Sequence, residues 1–266
     1  EGLLPDAIDF TCTLKACGHI GDIDTGKKIH SEIIYVGILG KDSVLSNALV
    51  NMYAKCGSLV KAHQVVNEFV IDDVVSWNVL IFGYAQQEHT EDALIWYRRM
   101  YLEVISHDVI TFTCALKACG NIGDLQTGEE IHGEMERLGL FKGKTKNRYV
   151  GSALVDMYSR CGFIEKARDV FDMYPVQDVI AWNTLISRYI DYDFHKEAML
   201  CFKQMQLECI YPNATTYIGI LKSCINMNAI DLGKQICRDI KKLGFLDRRP
   251  SVDIGNTMVL MYAKFG

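Results

Sequence analysis

The chain has 266 residues, 49% of them hydrophobic and 23% charged, which is enough apolar material to bury a sizeable core. No window holds the roughly eighteen consecutive apolar residues of a membrane-spanning helix. A formal net charge of −5 argues against a uniformly cationic nucleic-acid binder, although a whole-chain balance does not describe one face of an elongated molecule.

Taken from the N-terminus, Glu1-Gly-Leu-Leu-Pro5 is neither a secretory signal nor an Arg-rich transit peptide. Leu14-Lys-Ala-Cys-Gly18 then opens a sequence that repeats itself. It returns as Leu116-Lys-Ala-Cys-Gly120 and, more loosely, as Leu221-Lys-Ser-Cys224. Met52-Tyr-Ala-Lys-Cys-Gly57 returns as Met157-Tyr-Ser-Arg-Cys-Gly162 and Met261-Tyr-Ala-Lys-Phe-Gly266, at offsets of 105 and 104 residues. Val75-Ser-Trp-Asn78 returns as Ile180-Ala-Trp-Asn183, again 105 residues on. A period of this kind points to a repeat architecture, here with three kinds of unit in each long period.

Each unit reads as two helices. In residues 43–73, Leu49, Val50, Met52 and Tyr53 form one apolar stripe. Ser58 then stands as a cap before a second stripe of Leu59, Ala62, Val65, Val66 and Phe69. In residues 74–108, Val79, Leu80, Tyr84 and Ala85 are followed by Thr90 as the expected N-cap, then by Ala93, Leu94, Trp96, Tyr97 and Met100. The third kind of unit ends its second helix at Gly37, Gly139 and Gly244, where glycine suits a left-handed helix terminus. Nothing in the pattern calls for a sheet. A hairpin of this length cannot bury its own apolar face, so the expected fold is all-α, a right-handed α-solenoid superhelix of stacked antiparallel helical hairpins with one concave groove. The chain stops just after what reads as the first helix of another unit, as a piece of a longer array would.

Catalytic and metal signatures are missing. None of the ten cysteines pair as C-x-x-C, and several recur at equivalent repeat positions, which suits reduced packing residues of an intracellular compartment. His30-Ser-Glu32 and His132-Gly-Glu134 match half of the zinc-deaminase signature, but no P-C-x-x-C accompanies them and both fall at one place in the repeat. They read as repeat consensus. No phosphate-binding glycine loop, serine elbow or paired catalytic carboxylates appear either. The expected protein is a binding module with no enzyme activity, cofactor, metal, membrane contact or small-molecule substrate.

Several motifs resemble the pentatricopeptide repeat family, and specifically its plant-type class built from P, L and S motifs. Val74-Val-Ser-Trp-Asn-Val-Leu-Ile-Phe-Gly-Tyr84 and Val179-Ile-Ala-Trp-Asn-Thr-Leu-Ile-Ser-Arg-Tyr189 resemble the opening of a P motif, and Tyr211-Pro-Asn213 its ending. Ser46-Asn-Ala-Leu-Val-Asn-Met-Tyr-Ala-Lys-Cys-Gly57 is similar to an S motif. Thr111-Phe-Thr-Cys-Ala-Leu-Lys-Ala-Cys119, with Gly128-Glu-Glu-Ile-His132, is similar to an L motif. The resemblance divides the chain into the end of a preceding motif (1–6), L (7–42), S (43–73), P (74–108), L (109–147), S (148–178), P (179–213), L (214–251) and a partial S (252–266).

That resemblance implies sequence-specific binding of single-stranded RNA, one base per repeat. The fifth and last residues of a motif would read a base edge: Asn47 with Asp73, Asn78 with Asp108, Ser152 with Asp178, Asn183 with Asn213, and Asn256 alone in the partial unit. The second residues Val44, Val75, Tyr149 and Ile180 would sandwich the base plane. Thr11, and Thr113 with the closing Asn147, are weaker readers, and Ile218 offers no hydrogen bond, so the L units are expected to be spacers. A closing Asp accepts only, which suits uracil or guanine, and a closing Asn also donates, which suits cytosine or adenine. A fifth-residue Asn leaves room for a pyrimidine and Ser admits a purine, which gives 5′-x-U-U-x-G-C-x-Y-3′ in a parallel arrangement. Lys142, Lys144, Lys146, Arg148, Arg248 and Arg249 gather where L meets S and are candidates for phosphate contact. The same resemblance implies the site-recognition part of an organellar C-to-U RNA editing factor, in chloroplast or mitochondrion, with partner proteins or a C-terminal deaminase domain outside the chain. From another class, the rival expectation is a helical-repeat scaffold for protein partners.

Overall fold

In the computed structural model of the protein, residues 5–40, 42–68, 73–87, 89–141, 148–174, 179–245 and 252–265 are described. They form fifteen α-helices and no strand. The helices are α1 (Ala7–Ile20), α2 (Ile23–Val36), α3 (Ser43–Lys55), α4 (Leu59–Glu68), α5 (Val74–Gln86), α6 (Thr90–Leu102), α7 (Val109–Ile122) and α8 (Leu125–Arg137). They continue as α9 (Arg148–Arg160), α10 (Ile164–Met173), α11 (Val179–Asp191), α12 (His195–Leu207), α13 (Ala214–Asn226), α14 (Ile230–Lys242) and α15 (Val252–Phe265). None is long and apolar enough, among the described residues, to cross a membrane. The chain makes two compact units, Glu1–Ile131 and His132–Gly266.

Within each unit the helices pair as hairpins, α3 with α4, α5 with α6, α9 with α10, α11 with α12. The first helices of successive hairpins also pack side by side. In the first unit α1 packs on α3, α3 on α5 and α5 on α7; in the second, α9 packs on α11, α11 on α13 and α13 on α15. Each unit is therefore a stack of helical hairpins whose first helices make one layer and whose second helices make the other, the all-α expectation realised.

The sequence explains this stack locally. First helices begin at an Asp or Asn that satisfies backbone N–H groups left over by the helix start: Asp6 accepts from Ile8 and Asp9, Asp42 from Val44 and Leu45, Asp108 from Thr111, and Asn213 from Thr216. The apolar stripes then meet between layers. Leu14, Leu45, Leu49, Met52, Leu80, Ile81, Met100, Phe112 and Leu116 are all buried in the first unit, and each aliphatic among them contributes about 1.5–3 kcal/mol relative to exposure. In the second unit Phe171 meets Trp182 edge to face with ring centroids 4.6 Å apart.

All ten cysteines are free thiols. Burial lifts Cys114 and Cys201 to about 11, so both stay protonated and act as small packing residues.

The expected helix-ending glycines Gly37, Gly139 and Gly244 all have positive φ, near 70°. Thr90, in contrast, is not the cap of α6. His89 occupies that place through its carbonyl, which accepts from Ala93 N at 3.2 Å, while Thr90 is the first helical residue and is buried. A threonine beside a helix start is ambiguous by one position, and packing chose the inner one.

The end of α6 carries a local strain. Val104 N donates to Tyr101 O at 3.2 Å and Ile105 N to Met100 O at 3.1 Å, the bonding pattern of a Schellman termination. That pattern needs a left-handed residue, and here it is a β-branched valine at φ 58°, 91% exposed. Its side chain supplies no packing in return for the steric cost. Val104→Gly is expected to stabilise the protein by about 1 kcal/mol, raising Tm by roughly 2–4 °C in thermal circular dichroism.

Candidate nucleic-acid interface

The residues expected to read bases sit in the first-helix layer. Asn47 is on α3 and Asn78 on α5 in the first unit; Ser152 is on α9, Asn183 on α11 and Asn256 on α15 in the second. Three residues before each complete Asn or Ser position, the layer presents an exposed apolar side chain. Val44, Val75, Tyr149 and Ile180 are 59%, 55%, 60% and 67% exposed, an expense that the fold itself does not require.

The pairs do meet. Asn78 Nδ2 donates to Asp108 Oδ1 at 3.0 Å, and Asn183 Nδ2 donates to Asn213 Oδ1 at 3.0 Å, although the partners are 30 residues apart in both cases. Asn47 Nδ2 likewise donates to Asp73. Ser152 is half-buried on α9, while its expected partner Asp178 lies outside the described residues. So do Asn147, Lys142, Lys144, Lys146, Arg248 and Arg249, together with the side chain of Arg148.

A third member of each cluster was not foreseen. Thr111 Oγ1 donates to Asn78 Oδ1 at 2.6 Å, Thr216 Oγ1 donates to Asn183 Oδ1 at 2.6 Å, and Ser76 Oγ donates to Asn47 Oδ1. These three hydroxyl residues are almost completely buried, at 0%, 1% and 0% exposure. Each stands three residues after the closing acid or amide, in Asp73-Val-Val-Ser76, Asp108-Val-Ile-Thr111 and Asn213-Ala-Thr-Thr216. The sequence signal was present, since this is the spacing of a reciprocal N-terminal cap. Asp108 and Asn213 do accept from the Thr111 and Thr216 amides while their own N–H groups donate to those hydroxyls.

The consequence is that one side chain serves two helices. Asp108 receives Asn78 Nδ2, Thr111 N and the close approach of Thr111 Oγ1 all at Oδ1, and among the described residues no bond reaches Oδ2. Asn213 receives Asn183, Thr216 N and Thr216 Oγ1 in the same way, leaving its Nδ2 over. The two clusters are thus the same construction with an acceptor left in one and a donor left in the other. Asn213 is exposed and Asp108 half-buried, but Asn78 is only 6% exposed. Asn78 is thus held mainly between Asp108 and Thr111 and presents little surface of its own, in contrast to the half-buried Asn47 and Asn183.

The L-type positions are built differently. Thr11 Oγ1 bonds back to Ala7 O and Thr113 Oγ1 to Val109 O, both at 2.7 Å, so each hydroxyl proton is committed to its own helix. Ile218 is half-buried and apolar.

The H-x-E histidines also have a structural part. His30 Nδ1 and the Tyr53 hydroxyl are 2.9 Å apart, as are His132 Nδ1 and the Tyr158 hydroxyl, so each ties a second helix to the next first helix. Tyr174 adds to the second pair, 3.4 Å from His132 Nε2 and donating to Glu136 at 2.8 Å. No group of three His, Cys, Asp or Glu side chains is arranged to hold a metal ion among the described residues.

Fold and site together define a helical-hairpin repeat protein whose first helices, in each unit, carry paired polar side chains. A PPR repeat family model matches residues 72–121 and 177–226, and a PPR repeat model matches 44–74, 110–140 and 152–174, together more than half of the sequence. The chain belongs to the pentatricopeptide repeat family. Among Arabidopsis thaliana relatives, the mitochondrial pentatricopeptide repeat-containing protein At2g03380 is 32% identical over 99% of this chain and 37% of its own length. The chloroplastic At1g11290 is 34% identical over 98% of this chain and 31% of its own. The chain spans roughly a quarter to two-fifths of the curated relatives it matches. Of the solved structures, pentatricopeptide repeat protein PPR10 in complex with an 18-nt psaJ RNA element superposes with a TM-score of 0.76 at 18% identity, over 99% of this chain and 39% of that one. PPR10 from maize superposes with a TM-score of 0.67 at 19% identity, over 98% and 37%. At such identity the likeness establishes the α-solenoid fold.

Burial holds the His30 imidazole below its ordinary value, with Glu68 opposing and Lys61 assisting. A depressed histidine favours the neutral folded state, so its contribution is present above the ordinary value of about 6.5 and is lost as pH falls from there through the folded value. Wild-type stability against urea is expected to drop between pH 7.5 and 5.5, and His30→Gln to shrink that drop; an equal drop in both proteins would remove His30 as the cause.

Proposed function

We propose that the chain binds single-stranded RNA sequence-specifically, one base per repeat, as the site-recognition part of an organellar C-to-U RNA editing factor. The observation that carries this reading is the pairing of fifth and closing residues in one geometry at Asn78/Asp108 and Asn183/Asn213, with opposite hydrogen-bonding character left over. At Asp108 the remaining acceptor Oδ2, held in place by Asn78, complements a base edge with an imino donor, as in uracil. At Asn213 the remaining Nδ2, beside the remaining Asn183 N–H, offers two donors and complements the ring nitrogen and carbonyl of cytosine. Exposed Val75 and Ile180 lie on the same helices, one turn before, as apolar platforms for a base plane. Thr11 and Thr113, with hydroxyls turned onto their own helices, suit units that space the reading pairs.

The editing role rests on the P, L and S motif order with the boundaries given above. The preferred RNA is 5′-xUUxGCxY-3′, with Asn256 reading the final pyrimidine. Mitochondrial and chloroplastic relatives support an organellar site of action. The solved PPR10 complex supports RNA as the ligand. Catalysis and any editing-factor partner protein belong to segments or chains other than this array, which itself is not an enzyme. The rival, a protein-binding scaffold, has the exposed Ile34 and Tyr35 of α2 in its favour.

Gel shifts decide between the two. UUxGC RNA is expected to bind, and Asp108→Ala to weaken it by about 1–3 kcal/mol, with Asn78→Ala acting in the same direction through the lost hold on Asp108. Equal binding of a scrambled RNA would end sequence-specific reading and leave the scaffold.

Ser152→Asn is a gain-of-preference test. It is expected to move the preference of unit 148–178 from G towards U by about 1–3 kcal/mol, measured with RNAs differing at that base alone. An unchanged preference would remove Ser152 from the reading set.

A further inference from the structure

We propose that the buried hydroxyl at the third position of the following hairpin, Ser76, Thr111 or Thr216, is a positioning residue that sets the base preference of the hairpin before it. The inference rests on the proposed RNA reading and adds a third residue to each reading pair.

The argument is one of hydrogen-bond polarity. A primary amide offers oxygen on one side and NH2 on the other, and the two senses have nearly the same shape. A reading Asn is therefore specific only if something fixes which end faces out. Asp108 accepts only, so the Asn78 end that faces it has to be NH2, and Oδ1 then turns towards Thr111. Two oxygens 2.6 Å apart need a proton between them, and only the threonine has one to give. Thr111 Oγ1 in turn accepts from Asp108 N–H at 3.2 Å, so both of its roles are filled.

The closing residue is fixed by the backbone of the same threonine, whose hydroxyl then holds the paired amide. Thr216 N bonds to Asn213 Oδ1 at 3.1 Å as the cap of α13, which holds that oxygen inward and leaves Nδ2 as the outward group. Asn183 Nδ2 bonds to that same inward oxygen, and Thr216 Oγ1 bonds to Asn183 Oδ1 at 2.6 Å. Both amides of the pair thereby have one sense only.

The distribution along the chain follows this logic. Asn47, Asn78 and Asn183 are each followed by a hydroxyl at the third position of the next hairpin, Ser76, Thr111 and Thr216. Ser152 has no amide to orient, and the corresponding residue is Ala181. Thr11, Thr113 and Ile218 have none either, and they are followed by Leu45, Val150 and Ile254. The hydroxyl appears where there is an amide to orient and nowhere else in the set.

The test uses the full chain and four RNAs that differ only at the base facing unit 179–213, with affinities from fluorescence anisotropy. Wild type and Thr216→Ser are expected to prefer C by roughly tenfold. Thr216→Val keeps the shape but removes the donor, and its preference is expected to fall to about twofold, while the preference for U at unit 74–108 is unchanged. A merely structural role would weaken all four RNAs alike and leave the ratio intact; that result, or a full C preference in Thr216→Val, overturns the proposal. Should Thr216→Val lose helix content, Thr216→Ala, which keeps the backbone N–H that bonds to Asn213 Oδ1 and likewise lacks the donor, decides by the same criterion at the same base. Asn213→Asp serves as the separate control: a shift from C to U upholds the reading pair whatever Thr216→Val does, and no shift refutes the pair and this inference with it.

Discussion

Every helix start leaves backbone N–H groups without a partner inside the helix, and in a stack of short hairpins such starts come every fifteen to twenty residues or so. At the starts of α1, α3, α7 and α13 this chain meets the need with one Asp or Asn that is also the last residue of the unit before, whereas Asp73 at the start of α5 makes no such side-chain bond. Asp108 caps α7 while it grips Asn78 on α5, and Asn213 caps α13 while it grips Asn183 on α11. The capping requirement fixes the carboxyl or amide plane, and the plane then decides which atom is left over. On the proposed reading, stability and recognition share a side chain here. Replacing Asp108 therefore removes a helix cap, which typically contributes 0.5–2 kcal/mol, along with any contact to a ligand, so affinity lost by such a variant has to be compared with the stability it loses.

The hairpin stack was legible because its determinants are local and repeated. A 105-residue period, apolar stripes at helical spacing and glycines at helix ends all say the same thing, and Gly37, Gly139 and Gly244 do adopt the left-handed conformation. The pairing of Asn78 with Asp108 was legible only through the resemblance, since nothing in a sequence brings together residues 30 positions apart. What escaped was of two kinds. Thr90 was assigned a capping role one residue away from the true cap, because Thr90 and His89 differ in burial, which composition does not reveal. The hydroxyls of Ser76, Thr111 and Thr216 went unread although their three-residue spacing was visible, because a Thr near a helix start looks complete as a cap. Its second bond, to another hairpin, exists only in three dimensions.

The acidic balance of the chain becomes intelligible once the expected mode of binding is separated from phosphate contact. On the proposed reading, discrimination comes from neutral donors and acceptors arranged in pairs, and the base planes rest on Val44, Val75, Tyr149 and Ile180. Neither element needs net positive charge. Stacking on side chains of this kind tolerates any base, which leaves identity to the polar pair, and the two contributions are carried by different positions of the same helix. Exposure of 55% to 67% at four equivalent sites is costly for a folded chain in water, and the hairpin stack offers no internal reason for it.

The comparison of Asp108 with Asn213 carries the last step. Both accept two bonds at Oδ1, one from the backbone N–H of the helix they cap and one from the amide of an Asn 30 residues earlier. They differ at one atom, an oxygen in the first and an NH2 in the second. An exchange between them leaves the backbone, the cap and the packing of neighbouring hairpins in place, since everything structural is done by the inward oxygen. On the proposed reading, a repeat built this way separates what keeps it folded from what it offers to a base, down to the two ends of a single planar group. On the inference drawn above, the buried hydroxyl on the other side of the paired amide reinforces that separation by holding the amide in one sense.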